Sequence, residues 1–338
     1  MQRKWPDMSD QPPFTITSEI LNLVADISQA VGRLTAEFEQ EKLLRLRKVN
    51  RMRTVQGSLA IEGNTLSEEQ ITAMLEGKRV IAPPREVLEA QNAIAAYDSI
   101  STWQPSDTKD LLAAHRLLMK GLVEKAGSYR SQGVGVMSGD QVVHMGPQAE
   151  RVPTLMQELL AWLSHTDDHP LIASSVFHYE FEFIHPFSDG NGRMGRLWQT
   201  LILSNWQPVF INIPVESLVY QHQQAYYLAI RSSTAKTDCS PFIEFMLRMI
   251  RDAIKEGSTP PIKNEGLNTG LNAGLKLSPL DQVILELMRT DPTITNAVLA
   301  EQTGKAISTI ERRIKKLKEH NLLKRVGAKK TGRWETLL

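Results

Sequence analysis

The sequence predicts a mainly α protein: a helical bundle with one small β-hairpin, followed by a C-terminal winged helix-turn-helix domain. Apolar residues recur at spacings of three and four in a series of runs between residues 18 and 254, as on the buried face of a helix. Two short β-rich runs, Val134-Gly135-Val136 and Val142-Val143-His144, flank a Gly-Asp turn and predict the hairpin. Residues 278–338 combine helix-turn-helix spacing with two short β-rich runs, which is the pattern of a winged helix.

The N-terminal region, residues 1–95, is predicted to be helical after a Pro-rich, extended start. Gly63-Asn64 forms a C-cap pattern, and Ser67 with Gln70 three residues later forms the capping box of the next helix. The expected helices are Ser18–Phe38, Glu41–Glu62, Ser67–Glu76 and, after the break at Pro83-Pro84, Glu86–Ser101.

Residues 96–255 are predicted to form a second helical region that contains the hairpin. The run from His169 to Ile184 has the apolar periodicity of a buried helix, and Pro186 stops its regular hydrogen bonding. A further helix begins near Asn191 and continues to Trp206. The other expected helices are Asp107–Glu124, Pro153–Leu163 and one or two within 222–254.

A linker, residues 256–277, is expected to separate this region from the tail domain, residues 278–338. A small repeat every four residues makes the linker low in complexity and predicts a flexible tether. From Gly304 onward, eleven Lys or Arg and three Asp or Glu give a balance of +8, which leaves −7 for the rest of a chain of net charge +1. The expected tail elements are helices Pro279–Arg289, one from Thr295, and Thr309–His320, then strands Leu323–Val326 and Trp334–Leu337.

The most informative run is His185–Arg196, with the sequence HPFSDGNGRMGR. Gly190 and Gly192 permit positive φ where a helix begins, and the free N–H groups of a helix N-terminus favour a bound phosphate. Arg193 and Arg196 are three residues apart, so their guanidinium forks project from neighbouring positions of the same helix. The pattern predicts an anion cradle, and the absence of Gly-Lys-Ser/Thr excludes a Walker A loop.

Other residues of the run suit phosphate chemistry. His185 has an ordinary pKa of about 6.5, which fits a general base that removes a proton from an attacking hydroxyl. Asp189 offers an oxygen ligand to Mg²⁺, and Asn191 can hydrogen-bond a phosphate oxygen. Phe187 is expected to anchor the loop in the core.

The run resembles the signature of the Fic family, H-P-F-x-[D/E]-G-N-G-R-x-x-R, at every fixed position. The resemblance implies a Fic-type helical bundle with a small β-hairpin flap. It also implies an enzyme that uses ATP and Mg²⁺ to transfer AMP to a Ser, Thr or Tyr hydroxyl of a target protein. The related Doc branch, which phosphorylates, has Lys after the Asn and lacks the second arginine. Gly192 and Arg196 at those positions favour nucleotidyl transfer.

The family roles carry over residue by residue. His185 resembles the base and Asp189 the Mg²⁺ ligand. Tyr227, in the pair Tyr226-Tyr227, resembles a position near the adenosine pocket, as does Glu216-Ser217, although a core role for the tyrosine pair stays open. The phosphate contacts implied are the α/β-phosphate cradle of Gly190, Asn191 and Gly192, the β-phosphate contact Arg193 and the γ-phosphate contact Arg196.

A second motif lies upstream, in the segment Ser58–Asn64. Ser58 and Glu62 are four residues apart and therefore share one helical face. The segment resembles the inhibitory pattern of the family, [S/T]-x-x-x-E-[G/N]. The resemblance implies that Glu62 pairs with Arg196, occupies the γ-phosphate site and turns ATP away from its productive pose.

Two further surfaces are candidates for partners. The hairpin, residues 134–144, resembles the Fic flap, which aligns an extended target segment by strand addition; a hairpin without a partner is the alternative. In the tail, Arg312, Arg313 and Lys316 are the recognition-helix candidates for DNA. Winged helices also bind proteins, so target docking or a homodimer stays open.

Composition sets the outer bounds. There is no run of 18 apolar residues, no apolar signal region, and a single cysteine, Cys239, so neither a membrane span nor an intrachain disulfide is expected. These features predict a cytoplasmic protein. Two alternatives to AMP transfer remain: a de-AMPylase or bifunctional switch, and a DNA-binding transcription regulator in which the Fic domain senses nucleotide.

Overall fold

The computed structural model describes residues 12–37, 40–133, 135–138 and 141–258, and within the tail 281, 284–285, 287–288, 292, 294–303, 306–319, 322–326 and 333–336. The chain divides into two compact units, Met1–Ile262 and Lys263–Leu338. The mainly α fold with a winged-helix tail is confirmed, and the finer division of the first unit near residue 95 stays a prediction. A search of the described helices for one long and apolar enough to cross a membrane finds none.

Eleven helices and one hairpin are described in the first unit. The helices are α1 Ser18–Glu37, α2 Gln40–Ile61, α3 Glu68–Leu75, α4 Pro84–Ser99, α5 Thr108–Leu118, α6 Val152–His165, α7 Pro170–Ile184, α8 Asn191–Trp206, α9 Val215–Gln221, α10 Gln223–Lys236 and α11 Ser240–Ser258. Short 3-10 turns lie at Ile100–Thr102, Ala149–Arg151 and Pro208–Asn212. The hairpin pairs β1 Gly135–Ser138 antiparallel with β2 Gln141–Met145, with a register shift after Val136.

The predicted caps are present where α2 ends and α3 begins. Gly63 has φ 88°, and its N–H donates to the Ala60 carbonyl at 3.0 Å. The Gln70 N–H donates to Ser67 Oγ at 3.3 Å, while the Ser67 N–H donates to Gln70 Oε1 at 2.9 Å. These local bonds satisfy orphan groups at both helix ends, which is why the boundary was readable from the sequence.

Two predicted boundaries are wrong. The helix expected over Asp107–Glu124 ends at Leu118, because Gly121 takes φ 72° and the Asn92 carboxamide of α4 donates to the Lys120 carbonyl at 2.8 Å. The predicted linker starts too early, since α11 continues through Ser258; the rest of it lies outside the described residues.

Helix α7 lies at the centre of the first unit. It contributes to two hydrophobic clusters: Leu171, Ile172 and Val176 pack with α1 and α9–α11, while Phe177 and Phe181 pack with α2–α6 and α8. Twelve of its fifteen residues are buried, including the polar Ser174, Ser175, His178 and Glu180. The loop that follows α7 therefore begins from a rigid position.

The second unit has the winged-helix elements. Residues 281, 284–285 and 287–288 are helical, and α12 Asn296–Thr303, α13 Ile307–Glu319, β3 Leu323–Val326 and β4 Arg333–Thr336 follow. The two strands pair antiparallel, with Arg325 opposite Trp334. The buried Trp334 indole donates to the Ile294 carbonyl at 3.2 Å, which ties the wing to the segment before α12.

Candidate active site

The predicted site is the loop between α7 and α8. His185 follows the last turn of α7 with φ 50° and ψ 62°, a left-handed conformation that is uncommon for a residue with a side chain. Gly190, with φ 84°, precedes the first residue of α8. The two left-handed residues thus lie at the two ends of the loop, where α7 ends and where α8 begins. The His185 side chain is 19% exposed and can therefore reach a substrate.

Phe187 and Asn191 fasten the loop. The buried Phe187 ring stacks on the His115 ring, with centroids 3.6 Å apart. The Asn191 carboxamide accepts from the Phe187 N–H and donates to the Phe187 carbonyl, both at 2.9 Å. The structural role expected for Phe187 is present. The Asn191 side chain is used within the loop, so its backbone N–H is better placed than its carboxamide for a phosphate.

Arg130, a buried arginine outside the signature, holds the backbone at His185. Arg130 Nε donates to the His185 carbonyl at 2.7 Å, and its terminal nitrogens donate to the carbonyls of Gln132, Pro147 and Ile184. Arg130 is 6% exposed. Arg130 was not among the predicted site residues, because no local pattern shows that its guanidinium crosses from the hairpin region to the signature loop.

His115 supports the other end of the loop. Its Nδ1 accepts from the Gly127 N–H at 2.8 Å, so Nε2 carries the proton and donates to the Asp189 carbonyl at 3.1 Å. Burial lowers the pKa of His115 to about 4, which keeps the ring in this neutral tautomer near neutral pH. His115 was not among the predicted site residues either.

The two cradle glycines are required by close approach. A Cβ at Gly190 would overlap the Met119 side chain, and one at Gly192 would overlap Glu62 Oε1. The Gly190 N–H donates to Asp189 Oδ1 at 2.6 Å. The N-terminus of α8 is thus bare backbone, and the Glu62 carboxylate lies directly against it.

Glu62 and Arg196 form the ion pair that the inhibitory motif implied. Arg196 Nη2 donates to Glu62 Oε1 at 2.7 Å and to the Ser58 carbonyl at 3.0 Å, and its Nε donates to Ser58 Oγ at 3.3 Å. Burial acts to lower the pKa of Arg196, yet the neighbouring Glu62 charge places that pKa above its ordinary value. Ser58 thus contacts Arg196 and forms the second half of the same clamp.

Arg193 and Asp189 belong to a second charge cluster. Arg193 Nη2 lies 3.4 Å from Asp189 Oδ1, and its Nη1 lies 3.8 Å from Glu89 Oε1 of α4. Arg85 of the same helix lies 3.6 Å from Asp189 Oδ2. Arg85 and Glu89 were not predicted, because they are a hundred positions from the signature and only the packing of α4 brings them there.

Asp189 fits the implied Mg²⁺ ligand. Its carboxylate is 43% exposed and supplies the hard oxygen atoms that Mg²⁺ prefers. The described residues contain no group of three or more His, Cys, Asp or Glu arranged for a metal. A site of one carboxylate completed by phosphates and water is usual for Mg²⁺, so the residues are compatible with the ion.

The two candidates for the adenosine pocket, Tyr227 and Glu216, lie in different surroundings. Tyr227 is half-buried, and burial together with the nearby Glu62 charge raises its pKa, so Tyr227 lies near Glu62. Glu216 does not line an open site. It is 2% exposed and accepts from the Tyr97 hydroxyl at 3.0 Å and from Thr200 Oγ1 at 2.9 Å. Helix packing buries it, which a linear motif could not indicate.

The three candidate DNA-binding residues differ in their exposure to solvent. Arg312 and Lys316 are exposed on α13, whereas Arg313 is half-buried, with Nη1 3.3 Å from Asp281 Oδ2. Asp281 is 4% exposed, so this pair lies within the packing of the winged helix. The hairpin predicted as the flap is present in its backbone pairing.

Comparisons with known proteins find relatives of both units. The Fic/DOC family profile matches residues 105–203, and a winged helix-turn-helix DNA-binding profile matches residues 277–324. A crystal structure of a Fic family protein from Desulfovibrio desulfuricans is similar with 42% identity and a TM-score of 0.70, over 97% of this chain and 98% of that one. Residues 134–508 of Fic-1 from Caenorhabditis elegans share the fold at 23% identity and a TM-score of 0.60, over 70% of this chain and 71% of that one.

Among curated proteins, the protein adenylyltransferase Fic of Nematostella vectensis is 31% identical over 205 residues. That match covers 56% of this chain and 45% of the relative, so the chain spans less than half the length of this curated protein. The near full-length similarity to the Desulfovibrio protein carries the assignment: the chain belongs to the Fic/DOC family.

Proposed function

We propose that this chain is an autoinhibited protein adenylyltransferase, which moves AMP from ATP to a Ser, Thr or Tyr hydroxyl of a target protein. The observation that carries the proposal is the Glu62–Arg196 pair, at 2.7 Å, lying against the bare N-terminus of α8. The curated relatives are named as protein adenylyltransferases, which supports the reaction type.

The site has the parts that bind a triphosphate. The backbone N–H groups of Gly190, Asn191 and Gly192 would receive the α- and β-phosphates at the helix N-terminus. Arg193 would contact the β-phosphate and Arg196 the γ-phosphate, with charge-assisted bonds. Mg²⁺ at Asp189 would neutralise charge on the phosphates. Tyr227 is the candidate neighbour of the adenosine.

His185 supplies the proton chemistry. In the proposed reaction its Nε2 takes the proton of the target hydroxyl while that oxygen forms a bond to the α-phosphorus. The bond from the α-phosphorus to the bridging oxygen breaks, and pyrophosphate leaves with the electron pair. A general base contributes about 10²- to 10⁴-fold to such a step. Arg130 and Phe187 supply the rigidity that this geometry requires.

The inhibition follows from charge and space. The Glu62 carboxylate lies over Gly192, where the γ-phosphate would approach Arg196. A productive ATP must displace this carboxylate from a 98% buried guanidinium, and two anions cannot share the position. Glu62 itself is 36% exposed, so it can move out toward solvent.

The test uses ATP labelled on the α-phosphate, with Mg²⁺ and the full chain. Label is expected on protein with Glu62→Gly, and neither with wild type nor with Glu62→Gly/His185→Ala. Glu76→Gly is the matched control, since it removes another glutamate just after a helix end. Equal labelling by wild type, Glu62→Gly and Glu76→Gly would refute the inhibition, and no label with any variant would refute AMP transfer.

The reverse reaction, removal of AMP from a target, needs a separate experiment, because the partly exposed Glu62 carboxylate could align a water molecule in the same site. A target carrying labelled AMP would be incubated with wild type and Glu62→Gly. Loss of label with wild type alone would make de-AMPylation, or a bifunctional switch, the better description.

The tail favours a second candidate, a DNA-binding transcription regulator in which the Fic domain senses nucleotide. Its support is the winged-helix profile and the exposed Arg312 and Lys316. A gel shift with Arg312→Ala/Lys316→Ala tests it, with Lys120→Ala/Lys236→Ala as the charge-matched control in the other unit. Binding that weakens with salt and with the first pair alone would support DNA recognition.

A further inference from the structure

Glu182 lies one turn before His185 at the end of α7, and sequence analysis gave it no role. Its Oε2 lies 4.0 Å from His185 Nδ1, and its side chain is 11% exposed. His185 leaves the helix in a left-handed conformation, which brings its ring back over the last turn. A nearly buried carboxyl therefore faces the nitrogen of the base that is not needed for the substrate.

The second carboxylate oxygen of Glu182 points toward a histidine that cannot donate a hydrogen bond to it. Oε1 lies 3.8 Å from His178 Nε2. His178 Nδ1 is 2.7 Å from Gln199 Oε1 and must donate there, so Nε2 is the acceptor that receives the Tyr226 hydroxyl at 3.2 Å. This tautomer, assigned from its partners, has no proton left for Glu182. Of the two imidazoles beside Glu182, His185 is the one able to donate.

Neighbouring residues closely surround the Glu182 carboxyl. Gly195 of α8 faces the carboxyl, and a Cβ there would lie 3.1 Å from Glu182 Oε1 and overlap His178. Glu182 Oε1 is buried and has no hydrogen-bond partner among the residues that the structure describes. A buried polar atom without a partner is costly, and such atoms persist where they have a function.

Charges on three elements act on this carboxyl. Burial raises the pKa of Glu182 to about 7, Arg196 of α8 lowers it and Glu62 after α2 raises it. Other titratable neighbours among the described residues are Tyr226 and Tyr227 of α10, His178 of α7 and His185 just after α7. Departure of Glu62 would leave Arg196 free to favour the ionised carboxylate, so release of inhibition and charging of Glu182 act in the same direction.

We propose that Glu182 is the positioning residue of His185: its carboxylate accepts the Nδ1 proton, directs the Nε2 lone pair toward the target hydroxyl, and stabilises the imidazolium formed when that proton is taken. The inference rests on the proposed function for the hydroxyl, but the pairing of the two side chains does not. No atom is consumed. The proton taken from the hydroxyl stays on Nε2 until His185 returns it to solvent.

The first measurement needs no activity. In protein with labelled histidine, the His185 ring resonance is identified by its loss in His185→Ala and then titrated. Glu182→Gln is expected to lower the pKa of His185 by about 1, because an opposite charge within about 4–6 Å favours the charged ring. Glu182→Asp should keep part of the effect, and Glu158→Gln, on the exposed face of α6, should have none. An unchanged His185 titration in Glu182→Gln would overturn the proposal.

The second measurement uses the Glu62→Gly background and α-labelled ATP. Glu182→Gln is expected to lower kcat about 10- to 100-fold, with KM for ATP within about twofold, and to move the acid limb of kcat to lower pH. Parallel loss of ATP binding and of the folded state would mean a structural role and would also overturn the proposal. If Glu62→Gly itself transfers no label, the proposed function fails, and the titration still decides whether Glu182 and His185 are paired.

Discussion

Arg196 Nη2 lies 2.7 Å from Glu62 Oε1, although 134 positions separate the two residues in the chain. The pair connects the end of α2 to the first turns of α8, and the Ser58 hydroxyl and carbonyl complete it. In the proposed function, this guanidinium binds either the Glu62 carboxylate or the γ-phosphate of ATP. The strength of this clamp should set the basal activity, and its parts can be removed separately.

Ser58→Ala should weaken the clamp without opening it. The hydroxyl contact to Arg196 Nε is long, at 3.3 Å, while the Ser58 carbonyl and Glu62 contacts remain. A hydrogen bond of this kind contributes about 1 kcal/mol, so basal labelling should rise by about fivefold, well below the rise with Glu62→Gly. The measurement is the initial rate of label transfer at fixed ATP. A rise equal to that of Glu62→Gly would mean that Ser58 orients the glutamate itself.

Arg130→Met should destabilise the loop between α7 and α8. The substitution keeps an apolar stem but leaves the carbonyls of Ile184 and His185 among four that lose their donor. Each buried group without a partner costs about 1–3 kcal/mol, so we expect a loss of at least about 3 kcal/mol in unfolding free energy. Urea unfolding measures it, and Arg151→Met, an exposed arginine before α6, is the control. Equal midpoints for the two variants would contradict the clamp.

These contacts explain which parts of the fold could be predicted from the sequence. Helices such as α1 and α8, and the caps at Gly63 and Ser67, depend on periodicity and on neighbours three or four residues away, so they were predictable. The end of α5 was not, because the Asn92 carboxamide that captures Lys120 comes from another helix.

Some residues of the site were likewise predictable from the sequence, and others were not. His185, Asp189 and Arg196 belong to one contiguous motif, which carries its chemistry in its spacing. Arg130 and Glu89 reach that motif only through packing, and neither contact can be read from the neighbouring residues in the sequence. A buried charge has no local signal, because its partner decides where it can lie.

The winged helix gives a prediction that separates folding from recognition. Arg313 pairs with the buried Asp281, at 3.3 Å, whereas its neighbour Arg312 is exposed. Arg313→Ala leaves a buried carboxylate without this partner and should cost about 1–3 kcal/mol of stability in the tail, while Arg312→Ala should cost almost nothing. Hydrogen exchange of α13 in the full chain measures the difference. Equal protection in both variants would show that the pair contributes no stability.

The burial of Glu182 predicts an unusual dependence of stability on pH. Its pKa rises from an ordinary value of 4.5 to about 7 in the folded protein, so between these values the folded state binds more protons than the unfolded chain. The stability contributed by the protonated carboxyl is complete below pH 4.5 and is lost as the pH rises through 7. The loss amounts to about 3 kcal/mol, on the order of 1.4 kcal/mol for each pH unit.

Glu182→Gln keeps the shape and removes this titration. Its advantage in unfolding free energy over wild type should therefore grow from pH 5 to pH 8 by about 3 kcal/mol, whereas the exposed Glu158→Gln should show no such growth. Urea unfolding at both pH values measures it. An advantage independent of pH would mean that Glu182 is ionised at low cost in the folded state. A growing advantage, combined with the loss of kcat expected for the same variant, would mean that the fold bears the cost of a buried carboxyl because His185 requires it.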